Sequence, residues 1–126
     1  MSDKTHNINV DVQPAYIEDQ SDPQSNHYVF RYTVTINNTG NVAAKLLTRH
    51  WVITDGDGIV QEVKGDGVIG EQPHLRPGEG FEYTSGTFMN TPVGAMHGTY
   101  QMIADDGVKF DAVIPSFTLS VPNFLH

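Results

Sequence analysis

The chain has 126 residues, with 7 Lys+Arg against 15 Asp+Glu, no Cys, 12 Gly, 7 Pro and a formal net charge of −8 with histidine neutral. That length suits one domain with a real core, and the absence of Cys removes disulfides, thiolate metal sites and a cysteine nucleophile. No apolar run exceeds three residues, where a membrane helix needs about 20; scattered cations in an acidic chain disfavour nucleic acid; and the polar Met1–Asn7 start shows no secretory pattern, so the expected setting is cytoplasmic, with no membrane insertion.

The elements follow in chain order. Ile8, Val10 and Val12 alternate with Asn9, Asp11 and Gln13, a first strand ending at Pro14. Residues 15–26 are polar and acidic and read as an exposed loop. From Tyr28 to Ile36 every even position is apolar (Tyr28, Phe30, Tyr32, Val34, Ile36), while Arg31, Thr33 and Thr35 face the other way. This is a strand with one buried and one wet face. Asn37-Asn38-Thr39-Gly40 closes it as a turn. Ala43–Leu47 has helical composition but is too short to stand alone.

Leu47, Trp51 and Ile53 share one parity and Thr48, His50 and Thr54 the other. Ile59–Val63 is expected to pair back onto that strand across Asp55-Gly56-Asp57-Gly58. Phe81 and Tyr83, then Tyr100 and Met102, mark two further strands. Phe110, Ala112 and Ile114 are even, whereas Phe117, Leu119 and Val121 are odd. The parity changes at Pro115-Ser116, which predicts a bulge in one long final strand.

Seven or eight strands punctuated by turns predict an all-β, antiparallel β-sandwich of the immunoglobulin or fibronectin type III-like class in a single domain, residues 1–126. Trp51 on a central strand, the Pro77-Gly78-Glu79 turn into Phe81, and Tyr100 two residues before Met102 fit that class. Tyr100 is expected to make the corner contact typical of a penultimate strand.

Motifs for chemistry are sparse. Gly65-Asp66-Gly67-Val68-Ile69-Gly70 has the spacing of a dinucleotide fingerprint, but Pro73 and Pro77 leave no room for the helix whose N-terminus holds the pyrophosphate. Gly65, Gly67 and Gly70 remain candidates for a looser ligand loop, in which backbone N–H groups cup a small phosphate compound or the loop holds a divalent cation. Asp55–Gly58 lacks the later ligands of a calcium loop, and the six histidines show no metal-ligand spacing, so no metal site and no cofactor are expected. Tyr83-Thr84-Ser85-Gly86 lacks a nucleophile elbow, and enzyme activity is not expected.

The positive case is for a surface. Phe88–Gly98 is apolar for a loop: its Phe and two Met either line a contact patch, with Met89, Met96 and His97 the candidates for contact with a protein partner, methionine being easily repacked, or cap the open end of the core. An exposed sheet edge offers a second route to a partner, or to a homodimer. The terminal Asn123–His126 raises the same possibility of a contact patch.

Gly65–Pro73, Leu75-Arg76-Pro77-Gly78-Glu79, Phe81–Gly86, Thr91–Met102, Arg49-His50-Trp51 and Phe117-Thr118-Leu119 together resemble the ApaG family, and the likeness covers nearly the whole chain. The resemblance implies a fibronectin-like sandwich. It also implies an association with cobalt and magnesium efflux, gene proximity to a diadenosine tetraphosphate hydrolase, and partner recognition as in related domains of F-box proteins and of a polymerase-delta-interacting protein. It brings no catalytic residues.

Overall fold

The computed structural model describes residues 3–122. Among them the chain forms eight strands: β1 (Ile8–Tyr16), β2 (Tyr28–Asn38), β3 (Ala44–Asp55), β4 (Val60–Asp66), β5 (His74–Leu75), β6 (Gly80–Met89), β7 (Val93–Ala104) and β8 (Lys109–Ser120). Two short 3-10 turns, Glu18–Gln20 and Pro23–Ser25, break up the exposed acidic connection after β1. All pairings between strands are antiparallel, in one sheet ordered β1-β2-β6 and another ordered β4-β3-β7-β8, with β5 added beside β3. The protein is an all-β sandwich.

The two-residue period of β2 builds one wall of the core. Phe30, Tyr32, Val34 and Ile36 are buried, Val34 and Ile36 completely. Each such side chain contributes roughly 1.5–3 kcal/mol by leaving water. The opposite face of the same strand is wet: Thr33 and Thr84 hydroxyls meet at 2.9 Å and Thr35 donates to Glu82. The facing wall comes from Leu46, Trp51 and Ile53 on β3, Met96, Tyr100 and Met102 on β7, and Ala112, Ile114 and Leu119 on β8. Pro14 lies within β1, at an edge of its sheet, where its missing donor is tolerated.

Two irregularities set the phase of the second sheet. Opposite β7, the ladder slips between Met96 and Gly98, so that Phe117 faces Met96 and Ile114 faces Gly98. The extra residue lies at Pro115-Ser116, the expected bulge. A second slip between Leu46 and Thr48 on β3 was not legible. It buries Leu46 and leaves Leu47 half-exposed, so Leu47 does not share the face of Trp51 and Ile53. Ala44–Leu47 is strand rather than helix because pairing with β5 and β7 satisfies its backbone.

Two further expectations change. Phe88–Gly98 is not a loop: β6 runs to Met89 and β7 starts at Val93. Tyr100 therefore lies well inside β7, and its hydroxyl meets the Tyr83 hydroxyl of the opposite sheet instead of reaching back to the backbone as a corner.

The two layers are closed on one side, where β1 packs against β8. On the other side the edges of β4 and β6 flank a furrow that stays open.

Candidate functional site

The furrow is floored by inward-facing residues near the two free edges and rimmed at one end by outward-facing Val60 and Phe88. Antiparallel pairing sets Gln61, Val63 and Gly65 of β4 against Ile53, Trp51 and Arg49 of β3, all on the core-facing parity. From β6 come Ser85, Thr87 and Met89. At one end Ile59, Val60, Phe88, Met89 and Ile53 surround a hollow of about 200 Å³. Further along, Tyr32, Arg49, Trp51, Val63, Ser85 and Thr87 line a narrower one of about 150 Å³. Ile59 is 64% exposed, Val60 58%, Phe88 55% and Val63 38%, a concentration of large apolar groups in water beside an unpaired strand edge.

Arg49 closes the polar end. It continues the face of Trp51, where an aliphatic residue would ordinarily stand, and is only half-buried. Its Nη1 donates to the carbonyl oxygens of Asp66 at 2.9 Å and Gly67 at 3.0 Å, which fixes the guanidinium. Gly65 is glycine because the guanidinium passes over it; a β-carbon there would lie 2.8 Å from both Nη1 and Nη2. Among the described residues no carboxylate forms an ion pair with Arg49.

The other two candidate glycines serve the turn after β4. Gly67 has φ +61° and Gly70 φ +80°, in the left-handed region that glycine enters without strain. The N–H groups of Gly67, Val68 and Glu71 are engaged by Leu47, Glu71 and Val68 carbonyls respectively. The strand leads into a closed two-residue turn and then β5, not into a helix. Val68 is buried and anchors the turn to the core. The spacing of these glycines is accounted for by backbone geometry and by room for Arg49.

Behind the furrow lies a polar seam inside the core. The Tyr83 and Tyr100 hydroxyls hydrogen-bond across the two sheets, and Trp51 packs edge-on against Tyr32, Tyr100 and Phe117. Burial pushes the Tyr83 hydroxyl up to about 12 and Tyr100 higher still.

Met89, Met96 and His97 are not brought together. Met89 and Met96 are core residues, 4% and 1% exposed, while His97 points outward from β7. The two methionine side chains are nearly enclosed and border only the floor of the furrow's hollows, because the apparent loop is strand and their parity turns them inward. Phe88, one residue from Met89, is the group that faces water. Its even position, against the odd Phe81 and Tyr83, is the sequence signal that marks it as outward once the stretch is known to be strand.

Three histidines each meet a carboxylate, His6 with Asp106, His50 with Glu62 and His74 with Asp105, and Arg76 lies beside Glu79. Among the described residues no three His, Asp or Glu side chains gather to hold a metal ion. Asp55 uses its carboxylate to accept the N–H groups of Asp57 and Ile59 within the β3–β4 hairpin. The Asn123–His126 tail lies outside the described residues.

A family model described as the ApaG domain matches residues 18–104. The chain belongs to the ApaG domain family. The match spans β2 to β7, including both sides of the furrow. Over 98% of its length the chain is 63% identical to Protein ApaG from Thiobacillus denitrificans, of which 97% is covered. It is 57% identical to Protein ApaG from Pseudomonas paraeruginosa, with both chains covered in full. A crystal structure of the ApaA protein from Bordetella pertussis superposes with a TM-score of 0.93 at 50% identity, covering 95% of this chain and 98% of that one.

Proposed function

We propose that this chain is a non-catalytic recognition module that binds a protein partner along the open side of the sandwich, between the β4 and β6 edges. The observation that carries the reading is the clustering of Ile59, Val60, Val63 and Phe88 in water around an unpaired strand edge. An edge strand offers unpaired backbone groups to an added strand, and the flanking hollows take its side chains. The partner-binding role expected of Met89 and Met96 passes to the exposed residues beside them. The ApaG relatives lend the fold to this reading and no particular partner.

Selection of a displayed library of random 12-residue peptides on the immobilised full chain tests it, with affinities of recovered peptides measured by fluorescence anisotropy. The expected result is binding that falls at least tenfold in an Ile59→Asp/Phe88→Asp variant. Recovered peptides that bind this variant as tightly as the parent would refute the reading.

A further inference from the structure

The charged end of the furrow has a chemistry of its own. Arg49 lies among aromatic and hydroxyl groups: Tyr32 and Trp51 from the core, and Ser85 and Thr87 from β6. Two carbonyl acceptors occupy Nη1, which carries two hydrogens. The Nε–H and Nη2 edge of the guanidinium therefore faces no protein acceptor among the described residues. That edge carries two parallel N–H vectors, the geometry a carboxylate accepts in bidentate fashion. Among the described residues no buried polar side-chain atom lacks a hydrogen-bond partner, so this edge is reachable by solvent and open to a ligand.

We propose that Arg49 is a carboxylate-recognition site, and that its occupant is an Asp or Glu side chain of an extended peptide segment laid along the β4–β6 furrow. This rests on the recognition reading above and specifies what the partner must carry. Three observations select that occupant. On the furrow side of Arg49 the hollow holds about 150 Å³, below the roughly 300 Å³ of a small-molecule site but enough for one side chain; the shallower depression of about 460 Å³ on its other side, among Thr48, His50, Lys64 and Gln101, opens on the outer face of the sheet, away from the furrow. The furrow continues from Arg49 to the apolar hollow at Ile59, Phe88 and Met89, so the segment also carries an apolar residue. From Ser85 to Met89 an extended strand advances about 13 Å, which places that residue about four positions from the acid.

Charge complementarity favours the assignment. Arg49 is half-buried and has no carboxylate partner among the described residues, whereas Lys64 beside it is exposed. Asp66 also borders this end, but it contributes its backbone carbonyl to the guanidinium. Glu62 is on the outward face and is engaged by His50 at 2.7 Å. The side chain of a partner is thus the acceptor that the Nε–Nη2 edge lacks.

Two displayed libraries test this, identical in random composition except that one fixes Glu and the other Gln at the central position, each selected on the full chain. The expected result is at least tenfold greater recovery from the Glu library. Ser85→Asp places a carboxylate in the hollow from within, and Arg49→Met removes the guanidinium; both are expected to abolish the Glu preference. Ser85→Asp keeps Arg49 in place and is expected to raise Tm, so the test holds even if Arg49→Met fails to fold. Equal recovery of Glu and Gln peptides, still dependent on Ile59 and Phe88, would overturn the carboxylate site while leaving the edge reading intact. Failure to recover any peptide from either library would overturn both. A dimer in sedimentation that Arg49→Met dissociates would place a second copy of the chain there and overturn the peptide assignment.

Discussion

Trp51 on β3 and Gly98 on β7 are paired directly across the ladder, so close that a β-carbon on Gly98 would run into the His50 carbonyl oxygen and lie 3.2 Å from the Trp51 Cα. The large ring turns inward because the strand opposite contributes no side chain at that point, and the bulge at Pro115-Ser116 lets β8 follow. Gly98→Ala must push the central pair of strands apart. It is expected to cost about 2–4 kcal/mol in urea denaturation, in the range of backbone clashes in a core. A loss under about 0.5 kcal/mol, typical of surface changes, would contradict the close approach.

Gly65 near the end of β4 and Gly67 and Gly70 in the turn after it are expected to rank by their geometry. Gly67→Ala combines positive φ with a collision against the Glu71 carbonyl and is the most damaging, at about 2–4 kcal/mol. Gly70→Ala has positive φ but open space, and Gly65→Ala meets only the end of the Arg49 side chain, so each costs about 1 kcal/mol. Denaturant midpoints of the three variants check the order. Equal effects on stability, with Gly67 tolerated, would show that the turn does not need its left-handed conformation.

Met89 and Phe88 are expected to respond in opposite ways. Met96→Ala or Met89→Ala removes a core side chain and costs about 2–5 kcal/mol. The Ile59→Asp/Phe88→Asp double variant changes exposed groups and keeps stability within about 1 kcal/mol. Thermal unfolding of these proteins separates the core residues from the surface residues.

The Tyr83–Tyr100 seam makes stability sensitive to alkali. Tyr83 ionises near the usual value of 10 in the unfolded chain but only at about 12 when folded, chiefly because burial disfavours the phenolate. A raised folded value means that its contribution is complete below pH 10 and is lost as pH rises from 10 to about 12. Unfolding free energy is expected to fall by about 1 kcal/mol between pH 10 and 11 from this group. Tyr83→Phe is expected to remove that part of the slope and leave the part due to Tyr100, measured by urea denaturation at each pH; an unchanged slope would remove Tyr83 as a source.

Asn38 joins the two layers through polar contacts. It is 2% exposed, donates to the Val42 and Leu75 carbonyls at 2.9 Å, and accepts from the Gly40 N–H. Asn38→Ala leaves those carbonyls buried without this donor and is expected to cost about 2–3 kcal/mol. Hydrogen exchange is expected to accelerate first in β5, which Asn38 ties down.

Alternation made the sandwich legible, because a strand with one face in the core must write its period into the sequence. It did so most clearly at Phe30–Ile36 and, through a change of parity, at Pro115. Leu46–Thr48 stayed hidden because two adjacent leucines give no sign of which one the bulge turns inward. The burial of Met89 and Met96 was hidden for a related reason. Phe88–Gly98 contains Gly and Pro and looks like a loop, so the parity that buries Met89 and Met96 was not applied to them. Arg49 was quoted only as part of the family likeness. Its position on the face of Trp51 becomes meaningful once β4 and β6 are seen to leave that side open.

The recognition reading is tested most directly by amide hydrogen exchange of the full chain, alone and saturated with a peptide recovered by selection. Slowed exchange confined to the Val60–Asp66 and Ser85–Met89 amides is the expected result. Slowed exchange instead along β1 and β8, with the Val60–Asp66 amides unchanged, would place recognition on the closed side and contradict it.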